Sequence, residues 1–290
     1  MNCEIVHRTS YKYRVPVTVS QHAARVEPRT LANQTLEDFS LHIDPPPALR
    51  KSRVDYFGNR VCFFAIQEVH SQLEIVARSR VSIVAATPPA LSLSPIWNKV
   101  AKLFSDPVSP EVVEPYEFVF DSPFIRAAPA LADYARESFD ADTPLLEAVL
   151  DLSGRVHADF TYDKVATTVA TPLEEFMEKR RGVCQDFAHL AIGCLRSLGL
   201  AARYVSGYLR TGSGEGRPAL TGADASHAWF SVYCPDLGWI DFDPTNNLMP
   251  GTKHITLAYG RDFGDVSPVR GILTGGGKHV VHVGVAVNVV

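Results

Sequence analysis

Three short blocks of the chain carry side chains that together could perform acyl transfer. Arg181-Gly182-Val183-Cys184-Gln185-Asp186-Phe187-Ala188 holds a cysteine, Ser226-His227-Ala228-Trp229 a histidine, and Asp243-Pro244-Thr245 a carboxylate. In one site the three divide the work, because each makes good a deficiency in the next. The thiolate attacks a carbonyl. The imidazole takes the thiol proton and later protonates the departing amine, while the carboxylate holds the imidazole tautomer and stabilises the imidazolium. The reaction implied is transfer of an amide or ester acyl group through a thioester. Taken singly, the same residues also suit a buried cysteine, a core histidine and a solvated turn carboxylate.

The elements that must position them can be read from periodicity. A helix is predicted over Val183 to Leu198, since Phe187, Leu190, Ala191, Cys194, Leu195 and Leu198 recur at three and four, with Gly199 just past the end. Cys184 then lies at a helix N-terminus, where unpaired amides and the helix dipole favour thiolate over thiol. It shares the apolar stripe, so the sulfur points toward whatever sheet the helix packs on. Cys194, deeper in the stripe, reads as a small buried hydrophobe. In the run from Ser226 to Tyr233, period two puts His227, Trp229, Ser231 and Tyr233 on one face. In the returning run, Trp239, Asp241 and Asp243 share a face. A hairpin closed by a three-residue loop at 234 to 236 sets His227 opposite Asp243, whereas a bulge at Gly238 would shift the register and could bring Asp241 there instead. Pro244 makes Asp243 the last residue of that strand.

Composition bounds the rest. Of 290 residues, 46% are hydrophobic and 21% charged, an ordinary globular balance that excludes disorder and fibrous structure. The 20 prolines and 19 glycines point to many turns. A net charge of −4 leaves no electrostatic footprint for nucleic acid or an anionic membrane. Met1 to Arg8 lacks the basic start and apolar run of a secretory signal, no apolar stretch approaches the ~20 residues of a membrane span, and a cytoplasmic location is expected. Cys3, Cys62, Cys184, Cys194 and Cys234 include no C-x-x-C pair and are expected to be free thiols.

Residues 3 to 85 read as an all-β module, with alternating runs at Val15, Val17 and Val19, at Leu41 and Ile43, and at Leu73, Ile75 and Ala77. Asp44-Pro45-Pro46-Pro47 ends one strand, and Phe57-Gly58-Asn59-Arg60 looks like a tight turn. Prolines from Pro88 to Pro123 mark a linker with a short helix near Ile96 to Phe104. Thr143-Pro144 opens a further helix, and Thr171-Pro172-Leu173-Glu174 has the form of a capping box before a short helix that stops near Arg181-Gly182. Ala202 to Leu209 reads as a strand, 211 to 226 as a glycine-rich loop, and Val280 to Val290 as the last strand. The expected organisation is a β-rich domain at 1–86, a proline-rich linker at 87–130 and a catalytic domain at 131–290 ending in that strand.

The three blocks, in their order and spacing, resemble the signature blocks of the transglutaminase-like superfamily over about residues 155 to 265. Residues 1 to 85, with Tyr11-x-Tyr13 and Asp55-Tyr56-Phe57-Gly58-Asn59, resemble the β-rich N-terminal domain of bacterial transglutaminase-like proteins. The resemblance implies an α+β fold: an N-terminal antiparallel β domain, then a papain-like core whose nucleophile helix packs on an antiparallel sheet. It implies Cys184 as nucleophile, His227 as general base and acid, and Asp243 rather than Asp241 as third member. The acceptor is not implied, since cross-linking enzymes, peptidases and amidases share this fold.

Around this trio, Asp186 and His189 read as a hydrogen-bonded structural pair on the helix. The oxyanion hole is expected to use the Cys184 amide with Tyr162 or Gln185 as side-chain donor. Gly275-Gly276-Gly277-Lys278-His279 lacks the spacing of a phosphate loop and reads as a turn. With no H-E-x-x-H, no EF-hand pattern and no histidine cluster, no cofactor or metal is predicted, and a calcium site of another kind is left open. The expected partner is a peptide, protein or other amide substrate, with no nucleic acid and no membrane; self-association is left open. Hydrolysis is favoured over amine transfer, because the loop from Thr211 to Pro218 reads as a wet rim, and the isolated acids Glu215 and Asp224 of the longer 211 to 226 loop read as only solvated. The alternatives are a non-catalytic peptide- or protein-binding module that keeps the fold, or a scaffold whose β domain mediates assembly.

Overall fold

Alternation of apolar and polar residues along the first 83 positions resolves into five strands in the computed structural model, which describes residues 1–105, 113–210 and 226–290. They are β1 (Asn2–Ala24), β2 (Gln34–Asp44), β3 (Leu49–Val54), β4 (Arg60–Ile66) and β5 (His70–Ile83), hydrogen-bonded in the order β2-β5-β1-β4-β3. The expected turn joins β3 to β4, with Gly58 at φ +77°, a conformation that costs glycine little.

The described parts of the proline-bearing segment are packed rather than extended. They contain α1 (Trp97–Ser105) and α2 (Val113–Tyr116), and their Val100, Phe104, Phe118 and Ile125 are buried in the main core. Next come α3 (Pro129–Arg136), α4 (Leu145–Asp159), β6 (Thr161–Tyr162), α5 (Leu173–Lys179), β7 (Arg181–Gly182) and α6 (Cys184–Ser197). The capping box foreseen for α5 is not made: the Thr171 hydroxyl accepts the Thr168 amide at 2.9 Å instead. The stripe read for α6 is only part of its burial, because every residue from Cys184 to Arg196 is buried. This is the all-round burial of a central helix.

Strands β8 (Ala202–Leu209), β9 (His227–Cys234), β10 (Gly238–Phe242) and β11 (His254–Gly260) form a second sheet in the order β10-β9-β8-β11, against which α6 packs. The chain ends with α7 (Phe263–Val266), β12 (Val269–Gly275) and β13 (His279–Val289). Three successive glycines at positive φ, Gly275 to Gly277, make the expected turn between the last two strands. The strand expected to finish the catalytic part instead completes the first sheet, since β13 and β12 both pair with β1. The physical reason is β1 itself: a 23-residue strand has two long edges, and β4 and β5 cover only one of them. One hydrophobic core then runs through both parts, with Cys3, Ile5, Val81, Ile83, Val285 and Val287 joining residues of α3 to α6.

The outer edge of β11 is closed by side chains of the first sheet. Gln34 donates to Thr256 O at 2.9 Å and accepts from Thr256 N at 2.8 Å, and Asn59 does the same with Tyr259 at 2.8 and 2.9 Å. Each carboxamide thus imitates a strand's peptide group. Among the described residues, no helix is long and apolar enough to cross a membrane.

Candidate active site

Cys184 is the first residue of α6, held there by its neighbours. Asp186 reaches back so that its Oδ2 accepts from Val183 N at 2.8 Å and from the Thr167 hydroxyl at 2.6 Å. A side chain at Gly182 would collide with that carboxylate. Asp186 and His189 therefore do not form the pair read from the sequence. The His189 Nε2 accepts from Phe263 N at 3.2 Å, and burial pushes its pKa down to about 3. Cys184 is 9% exposed, against 0 to 7% for the other four cysteines. Burial pushes the Cys194 and Cys234 thiols up to about 12 and 11.

The hairpin β9–β10 closes with Cys234 opposite Gly238 and Phe230 opposite Phe242, one residue later on each side than the expected register. Left-handed backbone at Asp236 and Gly238 makes this turn. The shift keeps each residue on its face, so Asp243 still reaches His227 diagonally across the hairpin. His227 Nε2 lies 2.9 Å from Asp243 Oδ2, with both side chains fully buried. Asp241, opposite Ser231, is occupied elsewhere: it accepts from the Ser231 hydroxyl and from Trp229 Nε1 at 3.0 Å. Gly207, paired with His227, has no side chain because the Trp229 ring fills that space.

Asp243 is locked by its surroundings. Hydrogen bonds between Asp243 and Leu248 close the loop after β10 at 2.8 and 3.2 Å. Its Oδ1 accepts from the amides of Thr245 and Asn246 at 3.0 and 3.2 Å, and its Oδ2 from Asn246 Nδ2 at 2.8 Å and His254 Nε2 at 3.1 Å. His157 of α4 donates to the carbonyls of Pro244 and Thr245 at 3.2 and 3.1 Å, fixing the loop from behind. Burial alone would raise the Asp243 carboxyl, but His227 and His254 outweigh it and hold it well below the usual range. Burial would likewise lower His227, and Asp243 together with the Cys184 sulfur raises it instead. The remaining His227 nitrogen, Nδ1, has no hydrogen bond of ordinary geometry among the described residues. An ionised carboxylate, an imidazolium and an adjacent sulfur can sustain a thiolate–imidazolium pair.

His254, Asn246 and His157 were not singled out by the sequence. His254 lies on β11, buried on both sides, with no alternation to mark it. His227, Asp243 and His254 also offer donor atoms within 4.8 Å of one another, a set that could hold a metal ion. Both imidazole Nε2 atoms are already hydrogen-bonded to Asp243 Oδ2, so a cation would have to replace those bonds.

A cleft of about 560 Å³ opens over the site. One wall carries Cys184, Gln185, Tyr162 and His227; the other comes from the first sheet, through His7, Thr9 and Tyr11 of β1 and Val281 and Val283 of β13. His7 Nδ1 meets the Tyr208 hydroxyl of β8 at 2.7 Å, linking the two walls. Tyr162 lines the cleft, whereas the Gln185 carboxamide donates to Val169 O at 3.2 Å. Glu215, Asp224 and the loop that carries them lie outside the described residues.

Comparison with known proteins agrees with this architecture. Residues 3–82 match the bacterial transglutaminase-like N-terminal region and residues 132–244 the transglutaminase-like superfamily core. An uncharacterized protein of Mycobacterium tuberculosis is 39% identical, the alignment covering 99% of this chain and 91% of the relative, and one of Mycobacterium leprae is 30% identical over 94% and 93%. A protein-glutamine gamma-glutamyltransferase of Pseudomonas aeruginosa is 33% identical over 42% of this chain and 19% of its own length. The crystal structure of a Cytophaga hutchinsonii protein, proposed to be a cysteine protease, superposes with a TM-score of 0.75 at 22% identity, covering 99% of this chain and 90% of that one, and shows the same fold. The chain belongs to the transglutaminase-like superfamily, as a member with a bacterial transglutaminase-like N-terminal region.

Proposed function

We propose that the protein is a cysteine-dependent enzyme that breaks amide bonds of peptide or protein substrates through a thioester on Cys184, with water as the acceptor. The observation that carries this reading is the buried His227–Asp243 pair at 2.9 Å with the Cys184 sulfur acting on the same imidazole. The sulfur adds to the amide carbonyl, and the carbonyl oxygen takes the negative charge beside the Cys184 amide and the Tyr162 hydroxyl. Collapse breaks the C–N bond as the His227 imidazolium gives its proton to the nitrogen, releasing an amine or ammonia and leaving the thioester. Neutral His227 then takes a proton from water, hydroxide adds to the thioester, and the thiolate leaves with the imidazolium restored. Asp243 keeps the ring oriented throughout.

Water is favoured because none of the described residues that line the cleft is an Asp or Glu to attract a lysine ammonium. Amine transfer is the second reading, favoured by the name of the Pseudomonas aeruginosa relative. Incubation with a glutamine-containing peptide and excess primary amine separates them. The hydrolytic reading expects ammonia and free acid to exceed the amine-exchanged peptide; exchange that dominates at modest amine concentration makes the protein a transferase. No ammonia and an unreactive Cys184 would leave a binding module that keeps the fold.

A further inference from the structure

The inner face of the first sheet changes its task along β13. Val287 and Val285 are buried in the shared core at 1% and 8% exposure, whereas Val283 and Val281, next on that face, are 46% and 43% exposed. Both line the cleft opposite Cys184. In the ladder Val281 pairs with Tyr11 of β1, so the tyrosine ring adjoins the valines, and Val269 extends the patch. Alternate side chains of a strand point to opposite faces, so this exposure opens into the cleft and not onto the outer surface. Apolar surface kept wet costs roughly 25 cal/mol per Å², which a ligand covering it regains. Among the described lining residues, Lys164 is the one lysine or arginine, and no carboxylate is present. The cleft, at about 560 Å³, lies in the range of small-ligand sites and holds more than one amide group, so what flanks the amide is also in contact.

We propose that β1 and β13 form a subsite, built on Tyr11, Val281 and Val283, for an uncharged apolar group next to the amide that Cys184 attacks: an aliphatic or aromatic side chain of the substrate. The inference rests on Cys184 being the nucleophile.

Alkylation of Cys184 in the intact protein tests it with three probes: iodoacetamide, its N-benzyl derivative and its N-carboxymethyl derivative, each followed by mass spectrometry of the Cys184 peptide. The subsite predicts that the benzyl probe reacts about tenfold faster than iodoacetamide, relative to their reactivities with free cysteine. Val283→Asp and the milder Val281→Ser should each bring that ratio toward one, while Val280→Ser, on the opposite face of the strand, keeps it. A benzyl ratio near one in the wild type, or a ratio untouched by both cleft variants, overturns the subsite. A carboxymethyl probe that is the fastest overturns it in favour of an anionic substrate drawn by Lys164. Failure of all three probes at Cys184 removes the nucleophile itself, and the inference falls with the proposed function.

Discussion

Strands β8, β9 and β11 of the second sheet are buried on nearly every residue, β8 without exception, and only the edge strand β10 is half-buried, whereas β3 is exposed throughout and β13 is buried only at Val285 and Val287. A strand covered on both faces gives its polar side chains no water to fall back on, so each must find a partner or be very costly. His227, Ser231 and His254 are each bonded to Asp241 or Asp243, while Nδ1 of both histidines and Trp239 Nε1 keep no hydrogen bond of ordinary geometry among the described residues. The first sheet leaves Tyr13, Ser20, His22 and His70 each with a buried polar atom that lacks a protein partner, so incomplete pairing is common to both sheets, and what sets the second apart is the buried carboxylate that its two histidines share. The candidate site thus lies where polar side chains gather around buried carboxylates, and the first sheet supplies a wall and a frame.

The largest expected break in this comparison is at the two aspartates. Asp243→Asn should lower kcat for amide hydrolysis by about 10³- to 10⁴-fold with the fold retained, because the amide holds the wrong His227 tautomer. Asp241→Asn, bonded to Trp229 and Ser231, should cost less than about tenfold. The reverse order would mean that Asp241 orients the imidazole.

Next in size is the seam between the sheets. Asn59→Leu leaves the part-buried N–H and C=O of Tyr259 without their carboxamide partner and should cost about 2 kcal/mol in urea unfolding; Gln34→Leu should cost about 1 kcal/mol, because the Thr256 carbonyl keeps the Arg29 amide at 3.1 Å and only the Thr256 N–H is left unpaired. Values near zero would show that the edge of β11 does not need these carboxamides.

A pH test sharpens the contrast inside the core. His189 has its pKa lowered to about 3, so between about pH 6.5 and 3 the unfolded chain binds the proton and the folded one does not. Its contribution to stability is therefore full above about pH 6.5 and falls by up to about 1.4 kcal/mol per pH unit below it. His189→Phe should flatten that slope in urea unfolding compared between pH 7 and 5; an unchanged slope would contradict the assignment.

The smallest effect concerns the second histidine on Asp243. His254→Phe should reduce kcat/KM about three- to tenfold and move its alkaline limb to higher pH, since Asp243 relieved of one donor holds the His227 proton more tightly. His254→Gln, which keeps an N–H, should restore much of both. A loss without a pH shift would make His254 only a packing residue.

What could be read in advance follows the same division. Half-exposed strands betray themselves by alternation, so the runs in β1, β2 and β5 were legible, as was Cys184 at the start of α6. Strand β11 has no alternation to show, and its His254 escaped notice for that reason. The pairing of the final strands with β1 connects residues more than 200 apart, which no local pattern encodes. The β9–β10 register depended on where Asp236 and Gly238 place the turn, yet a shift that preserves faces left the His227–Asp243 contact intact.

The most direct test of the account is to trap the acyl-enzyme. A glutamine-containing peptide substrate is mixed with the protein, quenched in acid during turnover and analysed by mass spectrometry after digestion. The account predicts that the peptide containing Cys184 gains the mass of the substrate less ammonia, that the adduct is released by hydroxylamine, and that Cys184→Ala abolishes both adduct and turnover. Substrate consumed with Cys184 unmodified, or turnover that survives Cys184→Ala, would contradict it.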